Sequence, residues 1–315
     1  MKINGVATIQ HYVPQCILRN FKSGKKDQIY VLDKIRKKIY LSNIKNVASE
    51  RYFYNIEIDG EAITLEDYFG TKVEPKINNI LNRISENKNL NVLSTDEKIF
   101  LSEYICIQYL RTKSHRESVK DLIMKMVEKL KGFGIPEVKN FSFDDVNTRV
   151  AQITTMNLLT LSKELLPCML DKKWFLLNSF DAGFCIGDAP IVLRNYTINP
   201  VFGDPDIGFG SKGIEIYFPI SPNLCIAAIC SSHMEKLVKA RSFPNYDKPG
   251  MTILGAIELG SYFNVTKSYE QYLNRLQFNL SEQFLFSQSE SELKEYLNLV
   301  LSNSEVIGQK RFKFY

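Results

Sequence analysis

The chain has 315 residues, 44% of them apolar, enough to bury a sizeable core and to exclude disorder as its general state. Its 40 Lys and Arg against 35 Asp and Glu leave a formal charge of +5, too small a surplus for a dedicated nucleic-acid-binding composition. Residues 1–15 lack the apolar run of a signal peptide, and no later stretch reaches the roughly 18 apolar residues of a membrane helix; a soluble, cytoplasmic protein with no membrane partner is expected.

In chain order, residues 28–33 (QIYVLD), 37–43 (KKIYLSN) and 51–59 (RYFYNIEID) are rich in β-branched and aromatic side chains and predict strands, with a hairpin turn at 35–38 and a stop at Asp59-Gly60. From Ile63 the apolar positions Leu65, Phe69, Val73, Ile77, Ile80, Leu81 and Ile84 recur at three and four, a helix that Pro75 should kink or restart. Ser94-Thr95-Asp96-Glu97 is a capping-box sequence opening a long helix that can be carried to Leu130, with residues 112–117 the polar place for a break. Residues 136–145 read as a linker and 146–170 as helix.

From Trp174 onward the segments 174–179, 184–195 and 214–230 run or alternate apolar as buried strands do. Helices are predicted at 232–240, 265–287 and 291–302. Strands, helices, strands and helices in succession define an α+β fold with a mixed, mainly antiparallel sheet. We expect a single domain over 1–315, with an N-terminal β segment (1–60), a helical block (61–171), a second β segment (172–231) and C-terminal helices (232–315). The N-terminal hairpin should share or abut one sheet with the later strands.

Six cysteines are spread without a C-x-x-C pair and read as buried thiols; three histidines are too scattered for a zinc motif. Residues 203–213 hold four glycines without the strand-turn-helix order of a phosphate loop and read as a flexible surface loop. Two basic clusters, 22–26 with 34–38 and the tail 310–315, read as solvated surface, although cations interleaved with aromatic rings also suit nucleic acid.

The segment His11-Tyr12-Val13-Pro14-Gln15-Cys16-Ile17-Leu18-Arg19-Asn20-Phe21 has the pattern H-x-V-P-x-x-x-L-R-x-F. It resembles the opening signature of a mainly bacterial family, domain of unknown function 4238. Further landmarks extend the resemblance from about His11 to about Ser287: Tyr54, Leu65-Glu66, Glu74, Gln108-Tyr109-Leu110-Arg111-Thr112, Asp188-x-Pro190 and Phe218-Pro219-Ile220-Ser221-Pro222. Gly187 stands where that family often has Ser before the D-x-P step. The resemblance implies no reaction.

Among these residues, His11 lies in a segment patterned for burial, where an imidazole is either a general base or acid or a pin hydrogen-bonded to a backbone carbonyl. Leu101, Tyr104, Gln108, Arg111 and His115 share a helical stripe; an Arg there is either an anion clamp or half of an internal ion pair with Glu74 or Asp188. His115 reads as surface, and Asp188, before Ala189-Pro190, suits an Asx turn. Two hypotheses follow. In the first, the protein is a hydrolase, a nuclease or phosphodiesterase, in which His11 is the base, Arg111 the clamp, and Glu74 and Asp188 orient the histidine or hold a divalent cation such as Mg. Gln15, Arg19 and Gln108 would then line the pocket and contact an anionic substrate, a nucleic acid or nucleotide. In the second, it is a non-enzymatic interaction module whose buried polar network is structural.

Overall fold

The computed structural model describes residues 9–51, 56–58, 61–63, 65, 68–181, 183–200, 203–242 and 244–302. In chain order its elements are β1 (Ile9–His11), α1 (Gln15–Arg19), β2 (Gln28–Asp33), β3 (Lys38–Asn43), β4 (Ser49–Arg51), β5 (Ile56–Ile58), β6 (Glu61–Ile63), α2 (Glu74–Asn87), α3 (Thr95–Leu110), α4 (Lys113–Gly132), α5 (Pro136–Lys139), α6 (Phe143–Leu159) and α7 (Leu161–Leu170). There follow β7 (Lys173–Asn178), β8 (Ile186–Gly187), β9 (Val192–Asn195), β10 (Ile214–Pro219), β11 (Leu224–Ile229), α8 (Met234–Val238), α9 (Ile253–Glu258), β12 (Tyr262–Asn264), α10 (Lys267–Leu280), β13 (Phe284–Ser287) and α11 (Glu290–Ser302). Strands and helices are segregated along the chain, and the fold is α+β.

Among the described residues, five strands pair in the order β12-β7-β11-β10-β9 and four in the order β3-β2-β13-β8. Within these two sheets only β12 with β7 is parallel. The N-terminal hairpin does share a sheet with later strands, but there are two large sheets rather than one. Side chains alternate across the five-stranded sheet as the period of two demands. Ile214, Ile216 and Phe218 enter a core with Tyr104 and Ile105 of α3, Met169 of α7, Ile77 and Ile80 of α2, and Val13, Ile17, Leu18 and Phe21 of the opening segment. Tyr217, Phe175 and Leu177 point the other way, toward Ala256 of α9 and Leu273 of α10.

Local signals are met where they were specific. The Ser94 hydroxyl accepts from the Glu97 amide and the Glu97 carboxylate accepts from the Ser94 amide. The long helix breaks at Arg111–Thr112. The Thr112 hydroxyl donates to the Tyr109 carbonyl and accepts from the His115 amide, so one side chain closes α3 and opens α4. The hairpin turn lacks Asn-Gly but has Asp33, whose carboxylate accepts from the amides of Ile35 and Arg36. Pro75 sits in the first turn of α2, directly after a π-helical turn over Phe69–Val73.

Other readings require correction. Residues 265–287 are not one helix: α10 ends at Leu280, and Phe284–Ser287 forms β13 at the centre of the four-stranded sheet. Its apolar run continues the helical pattern, so periodicity alone could not separate them. Ile63 belongs to β6, paired with β5, not to the following helix. His115, read as surface, is buried on the same side as the rest of its stripe, its Nε2 accepting from Asn157 of α6. Lys34, assigned to a basic surface cluster, is fully buried. The loop 203–213 is not loose, since Phe209 packs edge-on against Tyr109 and the Asn195 amide donates to the carbonyls of Asp206 and Lys212. Tyr54, Asp59-Gly60, Glu66 and the tail 310–315 lie outside the described residues.

Candidate functional site

Pro14 starts the short helix α1 and leaves the carbonyls of His11 and Tyr12 pointing at α3. Two side chains of one helical stripe, Gln108 of α3 and Arg111 at its C-cap, meet them. Gln108 donates its Nε2 to the Tyr12 carbonyl at 2.9 Å, and Arg111 donates Nη2 to the His11 carbonyl at 2.7 Å. The Arg111 side chain has no exposed surface. Its Nη2 also lies 3.5 Å from Glu74 Oε1, and its guanidinium carbon sits 4.2 Å from the centre of the Phe69 ring. Phe69 stands in the π-helical turn and Glu74 on the first turn of α2, so the restart around Pro75 sets both partners facing Arg111. Together these contacts fasten the opening segment to two helices.

His11 donates Nε2–H to the Lys45 carbonyl at 3.2 Å. Burial, opposed by that backbone bond and by Glu74, lowers its pKa below the usual imidazole value; Arg111 and Arg19 push the same way as burial. The ring is therefore neutral at pH 7, with the lone pair on Nδ1. Because its folded pKa is depressed, its contribution to stability is complete above pH 6.5 and is lost as pH falls through the folded value. An imidazole NMR titration should show a His11 midpoint below 6.5; a midpoint at or above 6.5 would contradict the burial argument.

Gln15 and Arg19 lie one helical turn apart on α1. Arg19 donates to Gln15 Oε1 and to Asp27 Oδ2, and it is half exposed. Cys16, between them, stands at a position the signature leaves open: burial pushes its thiol up to about 12, which leaves it without thiolate at neutral pH. All six cysteines are free; Cys106, Cys185, Cys225 and Cys230 are buried as expected, whereas Cys16 and Cys168 are half-buried. Phe69 was read from the sequence only as an apolar position of the helix stripe, and its place against Arg111 was not anticipated.

Asp188 does not join this group. Glu74, Arg111 and Arg19 act on the His11 ring. Asp188 instead accepts three backbone N–H bonds, from Glu282, Gln283 and Phe284 at 2.7–2.9 Å. It is thus not an Asx turn on its own segment but the anchor of the loop leading into β13, reaching 94 to 96 residues along the chain. Lys34 completes that cluster. Its ammonium donates to the Phe278 and Ser281 carbonyls at the end of α10, and burial drives its pKa down to about 8 against the pull of Asp188 and Glu282. The step before Asp188 is Gly187, where a Cβ would lie 3.0 Å from the Gln277 carbonyl oxygen and from Ser281 Cβ. The glycine lets α10 close on β8 in place of a hydroxyl.

The other landmarks belong to the same framework. Asn20 of the opening signature donates to the Ile220 carbonyl in the Phe218–Pro222 turn, and Gln277 donates to the Pro190 carbonyl. Among the described residues no three His, Cys, Asp or Glu side chains gather as a metal-ligand set, and no helix is long and apolar enough to cross a membrane. Glu74 and Asp188, expected as a possible pair of cation ligands, belong to separate clusters.

These features define an α+β protein whose signature residues knit distant segments together through main-chain carbonyls and amides. The family model described as "Protein of unknown function (DUF4238)" matches residues 9–291. The chain belongs to this family. No curated protein and no solved structure matches it.

Proposed function

We propose that the His11–Glu74–Arg111 network is a structural clasp and that the protein works as a non-enzymatic interaction module. One observation carries this reading: Arg111, the residue suited to grip an anion, has no exposed surface and donates to the His11 carbonyl. A guanidinium so placed cannot reach a substrate, whereas removing it would strand a buried carbonyl. Asp188 supports the reading, since both its oxygens accept backbone amides. A cytoplasmic setting fits six free thiols.

A second reading, the hydrolase acting on a nucleic acid or nucleotide, keeps His11 as base. It is favoured by the neutral imidazole beside Glu74, whose side chain is 22% exposed, and by the exposed Arg19. Arg111 and Glu74 would then be positioning residues, and Asp188 would have no part. The test is incubation of the purified protein with RNA, DNA and nucleotides, with and without magnesium, alongside His11→Ala. The clasp reading expects intact substrates throughout. Hydrolysis by the wild type that vanishes in His11→Ala, with melting unchanged, would establish the hydrolase instead.

A further inference from the structure

At one end of the five-stranded sheet the register brings a thiol and an ammonium together. Ile229 of β11 stands opposite Lys173 of β7 and Glu215 of β10, both in antiparallel pairing. One residue further along is Cys230, still extended at φ −59° and ψ 140°, whose amide donates to the Ile214 carbonyl at 2.9 Å. The same step sets Cys230 across from Lys172, and directly opposed residues of antiparallel strands project on one face with Cβ atoms about 5 Å apart. That face looks into the core of Tyr104 and Met169, which Cys230 joins at its edge together with Ile214, Ala228 and Trp174.

Lys172 is only 5% exposed. Among the described residues its ammonium has no carboxylate and no hydrogen-bond acceptor as partner. A nearly buried cation left without a counter-charge is costly, and an anion at its side relieves that cost. The group placed to become that anion is the Cys230 sulfur. Burial by itself raises the Cys230 thiol, but the Ser232 hydroxyl, the Ser232 and Gly213 amides and the Lys172 charge outweigh it, and its pKa stands below the ordinary value. Gly213 presents its amide there from a positive φ of +82°, where a Cβ would run into Thr197 and Asn195. Burial instead raises the thiols of Cys16, Cys106, Cys185 and Cys225.

We propose that Cys230 is a modification site for hydroperoxides, its thiolate attacking the peroxide with the Lys172 ammonium beside it and the Ser232 and Gly213 donors around the sulfur. An S–O bond forms as the O–O bond breaks. Cys230 is oxidised by two electrons to the sulfenic acid, and hydrogen peroxide is reduced to water, the thiol proton ending on the departing oxygen. Lys172 stabilises negative charge first on the sulfur and then on that oxygen. Exposure alone would rank the thiols differently, since Cys16 and Cys168 are half-buried and Cys230 is 9% exposed. The site is independent of the clasp, so it stands or falls separately from the reading above.

The test treats the full chain with equimolar hydrogen peroxide at neutral pH in the presence of dimedone, which caps sulfenic acid, and reads each cysteine by peptide mass spectrometry. The adduct should form on Cys230 about tenfold or more faster than on Cys16 or Cys168. Lys172→Met should slow it about tenfold while leaving the circular-dichroism melt no lower, because an uncompensated buried charge is removed. Lys172→Arg should keep most of the rate, and Ser232→Ala should reduce it. An adduct led by Cys16 or Cys168, a Cys230 that stays unoxidised, or a wild-type rate in Lys172→Met would overturn the proposal. If Lys172→Met fails to fold, Ser232→Ala decides it: a wild-type rate of Cys230 labelling in that variant contradicts the site.

Discussion

Arg111→Met is expected to lower the folding free energy by about 3–5 kcal/mol, the range seen when one partner of a buried ion pair is removed. The substitution keeps most of the side-chain volume, so the loss is electrostatic and hydrogen-bonding rather than a cavity effect. It leaves the His11 carbonyl without its Nη2 donor and Glu74 without its cation, and it removes the guanidinium from the Phe69 ring. Chemical denaturation should show the midpoint falling with an unchanged slope, and melting should drop by roughly 10 °C for a chain of this size. Glu74→Gln should cost far less, because Glu74 is partly solvated and contributes one long contact at 3.5 Å. The ordering of the two variants is itself diagnostic. A catalytic pair would show large losses of activity with little change in stability, whereas the clasp predicts the reverse.

Asp188→Ala is expected to be at least as damaging. Three part-buried amides, those of Glu282, Gln283 and Phe284, lose their acceptor together; a fully buried donor left unsatisfied costs about 1–3 kcal/mol, and partial burial keeps each of these toward the lower end. Lys34 loses the carboxylate that most strongly opposes the effect of its burial. Asp188→Asn should recover part of the loss, since one amide oxygen still accepts. The variant also has a pH signature. The folded pKa of Lys34, about 8, lies below its ordinary 10.5; the unfolded chain therefore binds more protons between these values, and stability gains as pH rises through that window and loses as it falls. Without Asp188 the folded value drops further, so the gap between Asp188→Ala and wild type should narrow from pH 7 to pH 9.5. Urea unfolding at the two pH values measures it directly; a gap that stays constant or widens would contradict the coupling of Lys34 to Asp188.

How much of this was legible in the sequence follows from whether the determinant is local. The capping box at Ser94 and Glu97, the break near Thr112 and the hairpin from Gln28 to Asn43 rest on contacts within a few residues, and the residues themselves announce them. The stripe of Tyr104, Gln108 and Arg111 was equally readable, because helical geometry fixes which side chains share a face. That Arg111 faces Glu74 was one of two alternatives the pattern left open. Asp188 shows the other limit. Its partners lie 94 to 96 residues away on the approach to β13, and β13 itself was hidden inside what looked like the end of a helix. A local Asx turn was the only explanation short-range reasoning could offer. The same blindness sent Lys34 to the surface: a lysine after an apolar strand looks solvated until the end of α10 presents it with two carbonyls.

The central claim is that Arg111 holds the opening segment in place, and amide hydrogen exchange on Arg111→Met tests it most directly. The amides to follow are those of Tyr12 and Val13, which donate to the Ala48 carbonyl, and those of Ile17 and Leu18, which donate to the Pro14 carbonyl. The account predicts that their protection falls by at least about tenfold more than that of the β10–β11 pairing, because the clasp opens before the five-stranded sheet does. Unchanged protection of residues 12–18 in a folded Arg111→Met protein would show that the segment stays docked without the guanidinium, and would contradict the structural reading of the network.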